Sequence, residues 1–153
     1  MSSSESLDQP LHQHRVRYHE TDAQGYVFNS RYLEFVDVAM TEFIKALGYP
    51  YDDFIVAGAD PSVVRAEVDF RRPARFDDVL DLAVECTHVG TSSFRLRTTI
   101  TRDDDLIAVS RLAYVNVDPV AETSRPLPEE IARKLREILV DDVEKEPSRS
   151  TDR

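Results

Sequence analysis

The sequence predicts an α+β domain in which one antiparallel sheet packs on one long, largely buried helix. Two observations carry that expectation. Arg31 to Leu47 is apolar around most of a helical circumference, so the helix needs cover on nearly every side. The segments that follow it alternate apolar and polar residues with a period of two and are separated only by turn signals.

The first strand is read where His14, Val16 and Tyr18 point one way and Arg15, Arg17 and His19 the other. In the helix, Tyr32, Leu33, Phe35, Val36, Ala39, Met40, Phe43, Ile44 and Leu47 are the apolar positions, and Glu34, Asp37, Thr41 and Lys45 form a narrow polar stripe. Gly48 suits its C-terminal cap and Pro50 prevents continuation. Four strands are expected next. Val63–Arg71 sets Val64, Ala66, Val68 and Phe70 on one face, and Val79–Val89 does the same with Leu80, Leu82, Val84 and Cys86. Ser93–Thr101 groups Phe94, Leu96, Thr98 and Ile100, whereas Leu106–Val117 is apolar on both faces, as an interior strand would be. Gly90 and the run Arg102-Asp103-Asp104-Asp105 mark hairpin turns. Pro128 and the acidic residues after it open a final helix that runs to about Leu139.

A chain of 153 residues fits one domain, with the ordered part expected at 11–140 and disordered tails at 1–10 and 141–153, where polar residues leave little to bury. The net charge of −10 argues against nucleic-acid or membrane-surface partners. No apolar run reaches ~18 residues, the length of a membrane span. Residues 1–10 lack the apolar stretch of a signal peptide, so a cytoplasmic location is expected. Cys86 is the single cysteine and sits among core-facing positions, which excludes an intrachain disulfide and suggests an inert thiol. His12, His14 and His19 lie close together, but no helical His-x-x-x-His pair or Cys/His cluster accompanies them, so neither a metal nor another cofactor is expected. Ser92-Ser93 lacks a Gly-x-Ser-x-Gly elbow, and no phosphate-cradling glycine loop is present.

The chemistry concentrates in His19-Glu20-Thr21-Asp22-Ala23-Gln24-Gly25, followed by Tyr26-Val27-Phe28-Asn29-Ser30-Arg31-Tyr32. One carboxylate, Asp22, stands in a tight loop just ahead of a helix start. Asp commonly caps turns. Beside the free N–H groups of a helix start it can also attack a carbonyl whose developing oxyanion those groups stabilise. Gly25 supplies the tight turn. Asn29 is read as a helix N-cap or as a polar wall of the site, with its backbone N–H the candidate donor to a carbonyl oxygen. Tyr32 falls on the apolar face, where packing is the plainer role.

The spacing of Asp22, Gly25, Asn29 and Tyr32 resembles the Asp-x-x-Gly-x-x-x-(His or Asn)-x-x-Tyr signature of hotdog-fold acyl thioesterases of the 4-hydroxybenzoyl-CoA thioesterase-like family. Phe70-Arg71-Arg72-Pro73-Ala74-Arg75-Phe76-Asp77-Asp78-Val79-Leu80, Val89-Gly90-Thr91-Ser92-Ser93-Phe94 and Arg125-Pro126-Leu127-Pro128 are similar to other segments of that family, so the resemblance runs over about residues 12–140. It implies a five-stranded antiparallel sheet wrapped around the long helix, plus the C-terminal helix. It also implies a homodimer, or a tetramer of dimers, with active sites at the subunit interface. The implied activity is hydrolysis of an acyl thioester carried by CoA or by acyl-carrier protein. Asp22 would serve as nucleophile or general base, and Asn29, unlike the His of many relatives, would leave Asp22 the sole acid–base group of the motif. A non-catalytic acyl-CoA-binding or assembly module on the same fold is the alternative.

Arg71, Arg72 and Arg75 form a basic cluster in an acidic chain. Solvated charge at a strand end is the plainer reading; recognition of phosphates on the carrier is the functional one. The hairpin that is basic in some relatives, where it meets CoA phosphate, reads Gly90-Thr91-Ser92 here, which weakens CoA against acyl-carrier protein as the expected carrier. Acyl length, aromatic preference and pathway are not legible in the sequence.

Overall fold

The computed structural model describes residues 11–142. The tail expected at 1–10, and that at 141–153 beyond Asp142, lie outside the described residues. β1 (His12–Arg15) leads into a 3-10 turn at Tyr18–Glu20, then α1 (Arg31–Ala46) and the short α2 (Tyr51–Val56). β2 (Pro61–Phe70), β3 (Val79–Val89), β4 (Ser93–Arg102) and β5 (Asp105–Asp118) follow, with a two-residue β6 (Thr123–Ser124) and α3 (Glu129–Glu137). The sheet order is β1-β3-β4-β5-β2, every neighbouring pair is antiparallel, and β6 adds to the end of β5.

The core lies between α1 and one face of this sheet. Tyr32, Phe35, Val36, Ala39, Met40, Phe43 and Ile44 are buried on α1. They meet Leu80, Leu82, Val84 and Cys86 of β3 and Phe94, Leu96, Thr98 and Ile100 of β4, the faces that period-two alternation assigns. Each large apolar side chain moved from water to this core contributes roughly 1.5–3 kcal/mol. The expected circumference is too generous, because Leu33 remains 41% exposed. Gly48, at φ 101°, closes α1 in the left-handed conformation that a helix end favours.

Two expectations need correction. The alternation through His19 does not continue as strand. The chain leaves β1 at Arg15, and Arg17 and Glu20 close a local turn through Glu20 N–H to the Arg17 carbonyl at 3.0 Å. β2 does not bury one alternating face either: it is the sheet's edge, and Val64 is 62% exposed and Phe70 44%. Beyond α3 the backbone docks on β3, with the Val140 N–H donating to the Cys86 carbonyl at 2.9 Å. Asp142 lies 3.6 Å from both Arg97 and Arg111.

Candidate active site

Asp22 sits at the tip of a tight hairpin. The Phe28 N–H donates to the Glu20 carbonyl (2.9 Å), Thr21 and Val27 form an antiparallel bridge, and the Asp22 N–H donates to the Tyr26 carbonyl (2.8 Å). The Gly25 N–H closes the tip on the Asp22 carbonyl (3.0 Å), and its φ of 81° is the conformation that glycine adopts without strain. Asp22 caps its own turn: Oδ1 accepts from the N–H groups of Gln24 (2.8 Å) and Tyr26 (3.2 Å). Oδ2 has no hydrogen-bond partner among the described residues, and the side chain is exposed. Capping therefore engages one oxygen of the carboxylate and leaves the other open on the surface.

The start of α1 lies beside this hairpin. Ser30, not Asn29, occupies the N-cap position, and no side chain caps the helix. The first backbone bonds run from the Arg31 N–H to Phe28 (2.9 Å) and from the Tyr32 N–H to Asn29 (3.4 Å). The N–H groups of Asn29 and Ser30 take no backbone acceptor among the described residues. They are donors at the positive end of the helix dipole.

Asp22, Asn29, Tyr32, Arg71 and Arg72 line one cleft of ≈ 320 Å³ together with Gln24, Tyr26, Val27, Phe70 and Pro73. Tyr32 is only 2% exposed, yet its edge reaches the cleft; its ring packs on Phe35 and Phe70. Burial, offset in part by the Ala74 backbone, raises its pKa. Packing and lining are thus the same contact. The arginines divide. Arg71 lies on the cleft wall and is exposed. Arg72 also lines it but stands 3.6 Å from Asp105. Arg75 is outside the lining and lies over the Tyr26 ring, 5.1 Å from its centroid.

The segment carrying these arginines is held firmly. The Arg71 and Arg72 N–H groups both donate to the Ile107 carbonyl (2.8 and 3.1 Å), and the Val27 N–H donates to Ala74 (2.8 Å). Arg102 Nη1 donates to the Pro73 carbonyl (3.2 Å) and to Asp78 Oδ2 (2.8 Å). Its bond to Asp78 leads the causes that raise the Arg102 pKa, so it stays charged. Arg102 and Asp78 escaped sequence reading because they lie 24 residues apart. Glu20 escaped too, although it is the one charged side chain buried among the described residues, at 6% exposure. A carboxylate two positions before Asp22 was the available signal.

Among the described residues no group of three His, Cys, Asp or Glu side chains is arranged to hold a metal ion, and no helix is long and apolar enough to cross a membrane. Cys86 is fully buried beside a second, apolar cavity of ≈ 280 Å³ at the far end of α1. Burial, offset in part by the His88 backbone, pushes its thiol up to about 11. At neutral pH about one thiol in 10⁴ is then ionised. A disulfide thiol reagent is expected to leave native protein unlabelled over minutes and to titrate one thiol after denaturation; rapid native labelling would show that the cavity opens.

The thioesterase-like superfamily model matches residues 16–135. An acyl-CoA thioester hydrolase, YbgC of Escherichia coli, is 28% identical over 124 residues, 80% of this chain and 92% of that protein. A 1,4-dihydroxy-2-naphthoyl-CoA hydrolase of Nostoc punctiforme is 29% identical over 124 residues, 78% of this chain and 82% of that one. Among solved structures, that of a gentisyl-coenzyme A thioesterase matches with a TM-score of 0.74 at 25% identity, over 82% of this chain and 98% of its own. With a curled antiparallel sheet on one helix and a match running from Val16 to Leu135, the chain belongs to the thioesterase-like superfamily and is a hotdog-fold thioester hydrolase.

Proposed function

We propose that the protein hydrolyses acyl-CoA thioesters, with Asp22 acting on the thioester carbonyl and the helix-start N–H groups polarising it. The supporting observation is one cleft shared by a carboxylate and Asn29, where one Asp22 oxygen has no hydrogen-bond partner and the Asn29 N–H no backbone acceptor among the described residues. The carbonyl oxygen is proposed to face the N–H of Asn29, whose bond gains strength as that oxygen becomes an oxyanion. A thiolate is a good leaving group, so a single carboxylate suffices. As nucleophile, Asp22 Oδ2 bonds to the carbonyl carbon, the C–S bond breaks to release the CoA thiolate, and water cleaves the mixed anhydride. As base, it takes a proton from water, whose oxygen attacks instead. Unlabelled acid from one turnover in ¹⁸O-water identifies the nucleophilic route with water attacking the Asp22 carboxyl carbon of the anhydride, because the product then keeps an Asp22 oxygen, whereas the general-base route labels it. The names of relatives favour CoA as carrier. The test is thiol release from a panel of aliphatic and aromatic acyl-CoAs; absence of release across the panel and from acyl-carrier-protein thioesters would refute the reading.

Arg71 and Arg72 on the cleft wall, with Arg75 beside Tyr26, are proposed to bind the carrier's phosphates. Such contacts hold ground and transition states alike, so they act on KM rather than kcat. Arg72→Ala/Arg75→Ala is expected to raise KM for acyl-CoA about tenfold, the scale of one or two charge-assisted bonds. An acyl-pantetheine substrate without the nucleotide should be indifferent to the change. Equal loss on both substrates would make the cluster structural.

The protein is further proposed to act as a homodimer, alone or paired into a tetramer, through the uncovered edge of β2.

A further inference from the structure

We infer that Glu20, anchored by His14, is a positioning residue that holds the Asp22 hairpin at the angle its chemistry requires; this rests on the role proposed for Asp22. A buried carboxylate is costly and persists where hydrogen bonds fix it. Glu20 Oε1 accepts from the Arg17 N–H (2.7 Å) and lies 2.7 Å from His14 Nε2. His14 belongs to β1, where it pairs with the fully buried Leu80 of β3, and its ring packs against Phe35 of α1 at 4.2 Å. Through these contacts one side chain ties the hairpin's first arm to the sheet and to the helix that presents the Asn29 and Ser30 donors.

The second arm has a different anchor, the Val27 N–H on the Ala74 carbonyl at 2.8 Å. The two arms join at the bond from the Phe28 N–H to the Glu20 carbonyl, at 2.9 Å. Without the Glu20 side chain the hairpin keeps its internal bonds and the attachment of its second arm at Val27 and Tyr26, while the first arm is left with the long bond from Arg31 Nη2 to the His19 carbonyl (3.4 Å). The Arg17–Glu20 turn needs only one local acceptor, which a short polar side chain would supply; the reach to His14, six positions away, is what a longer carboxylate adds. A displacement of about 1 Å at a reacting group can cost ~10²-fold in rate.

The experiment compares Glu20→Ala and Glu20→Gln, each in wild-type and Asp22→Asn backgrounds. Glu20→Ala is expected to lower kcat ~10–100-fold with KM changed less than about threefold, since positioning is used in the chemical step. Glu20→Gln keeps an acceptor oxygen for both donors and is expected to recover most of that loss. In the Asp22→Asn background, Glu20→Ala is expected to cost less than about threefold, because residues acting through one group are non-additive. Amide exchange of residues 22–28 is expected to quicken in Glu20→Ala while that of β3 and β4 is unchanged. Equal loss in both backgrounds, an unaltered kcat, or unaltered exchange in the hairpin would each overturn the inference. Should Glu20→Ala not fold, His14→Leu removes one anchor alone and is read by the same criteria. Should the wild type turn over no thioester, the proposed activity fails and hairpin exchange alone decides whether Glu20 anchors the loop.

Discussion

Asp22→Asn is expected to lower kcat on the best acyl-CoA by ~10²–10⁴, the range for loss of an acid–base or nucleophilic group. The substitution isolates chemistry from architecture. Asparagine retains an Oδ1 that can accept from the Gln24 and Tyr26 N–H groups, so the hairpin keeps its cap. What it removes is the charge and the second oxygen, the one without a partner. KM should change little, because the arginines and the cleft wall are untouched. Asn29→Ala is the control. The N–H proposed to polarise the carbonyl belongs to the backbone and survives the change, so its cost is expected to stay below about tenfold. Steady-state thiol release checks both, with circular dichroism to confirm the fold. Full activity in folded Asp22→Asn protein would remove Asp22 from the mechanism, and an Asn29→Ala loss as deep as that of Asp22→Asn would give the Asn29 side chain a role in the chemistry.

The fold was legible where a periodic face meets a single neighbour. β3 reads from Val79 to Val89 in sequence and structure alike, because its inner positions are all buried. Asp22 as a turn cap and Gly25 as a left-handed turn residue were legible in the loop itself, whereas Asn29, read as an N-cap, stands one residue before Ser30, which holds that position. The rest was hidden for identifiable reasons. β1 ends early because the bonds between Arg17 and Glu20 win over extension, although Tyr18 continues the alternation. α2 is a six-residue helix, too short to display a helical period. Glu20–His14 and Arg102–Asp78 join residues from different elements, and such pairings depend on topology. Strand order was equally invisible: the alternation of Val64, Ala66, Val68 and Phe70 promises a buried face, but among the described residues β2 lies at the edge, paired with β5 alone.

That exposed edge carries the second large effect. β2 is ten residues long, and its outer edge has no partner strand among the described residues. Val63 is 51% exposed and Val64 62%. A long edge left open invites pairing, and a symmetric dimer is one way to close it. The site gains from closure as well. Phe70 ends β2, remains 44% exposed and lines the cleft with Asp22, so a copy pairing along β2 would cover the cleft's open flank and exclude water there. Sedimentation at micromolar concentration is therefore expected to give a dimer or a multiple of it. Val63→Glu/Val64→Glu should separate the subunits. Two valines per copy each bury roughly 1.5–3 kcal/mol of apolar surface. Even after a large discount for ordering, their loss and the facing of like charges across a two-fold axis should raise the dimer Kd by at least ~10³-fold. If the dimer completes the site, kcat/KM should fall by at least about tenfold in the separated protein and return at high protein concentration, since mass action restores the pair. A wild-type monomer with full activity at micromolar concentration would refute this assembly, and a separated variant as active as the wild type would mean that each cleft is complete within one chain.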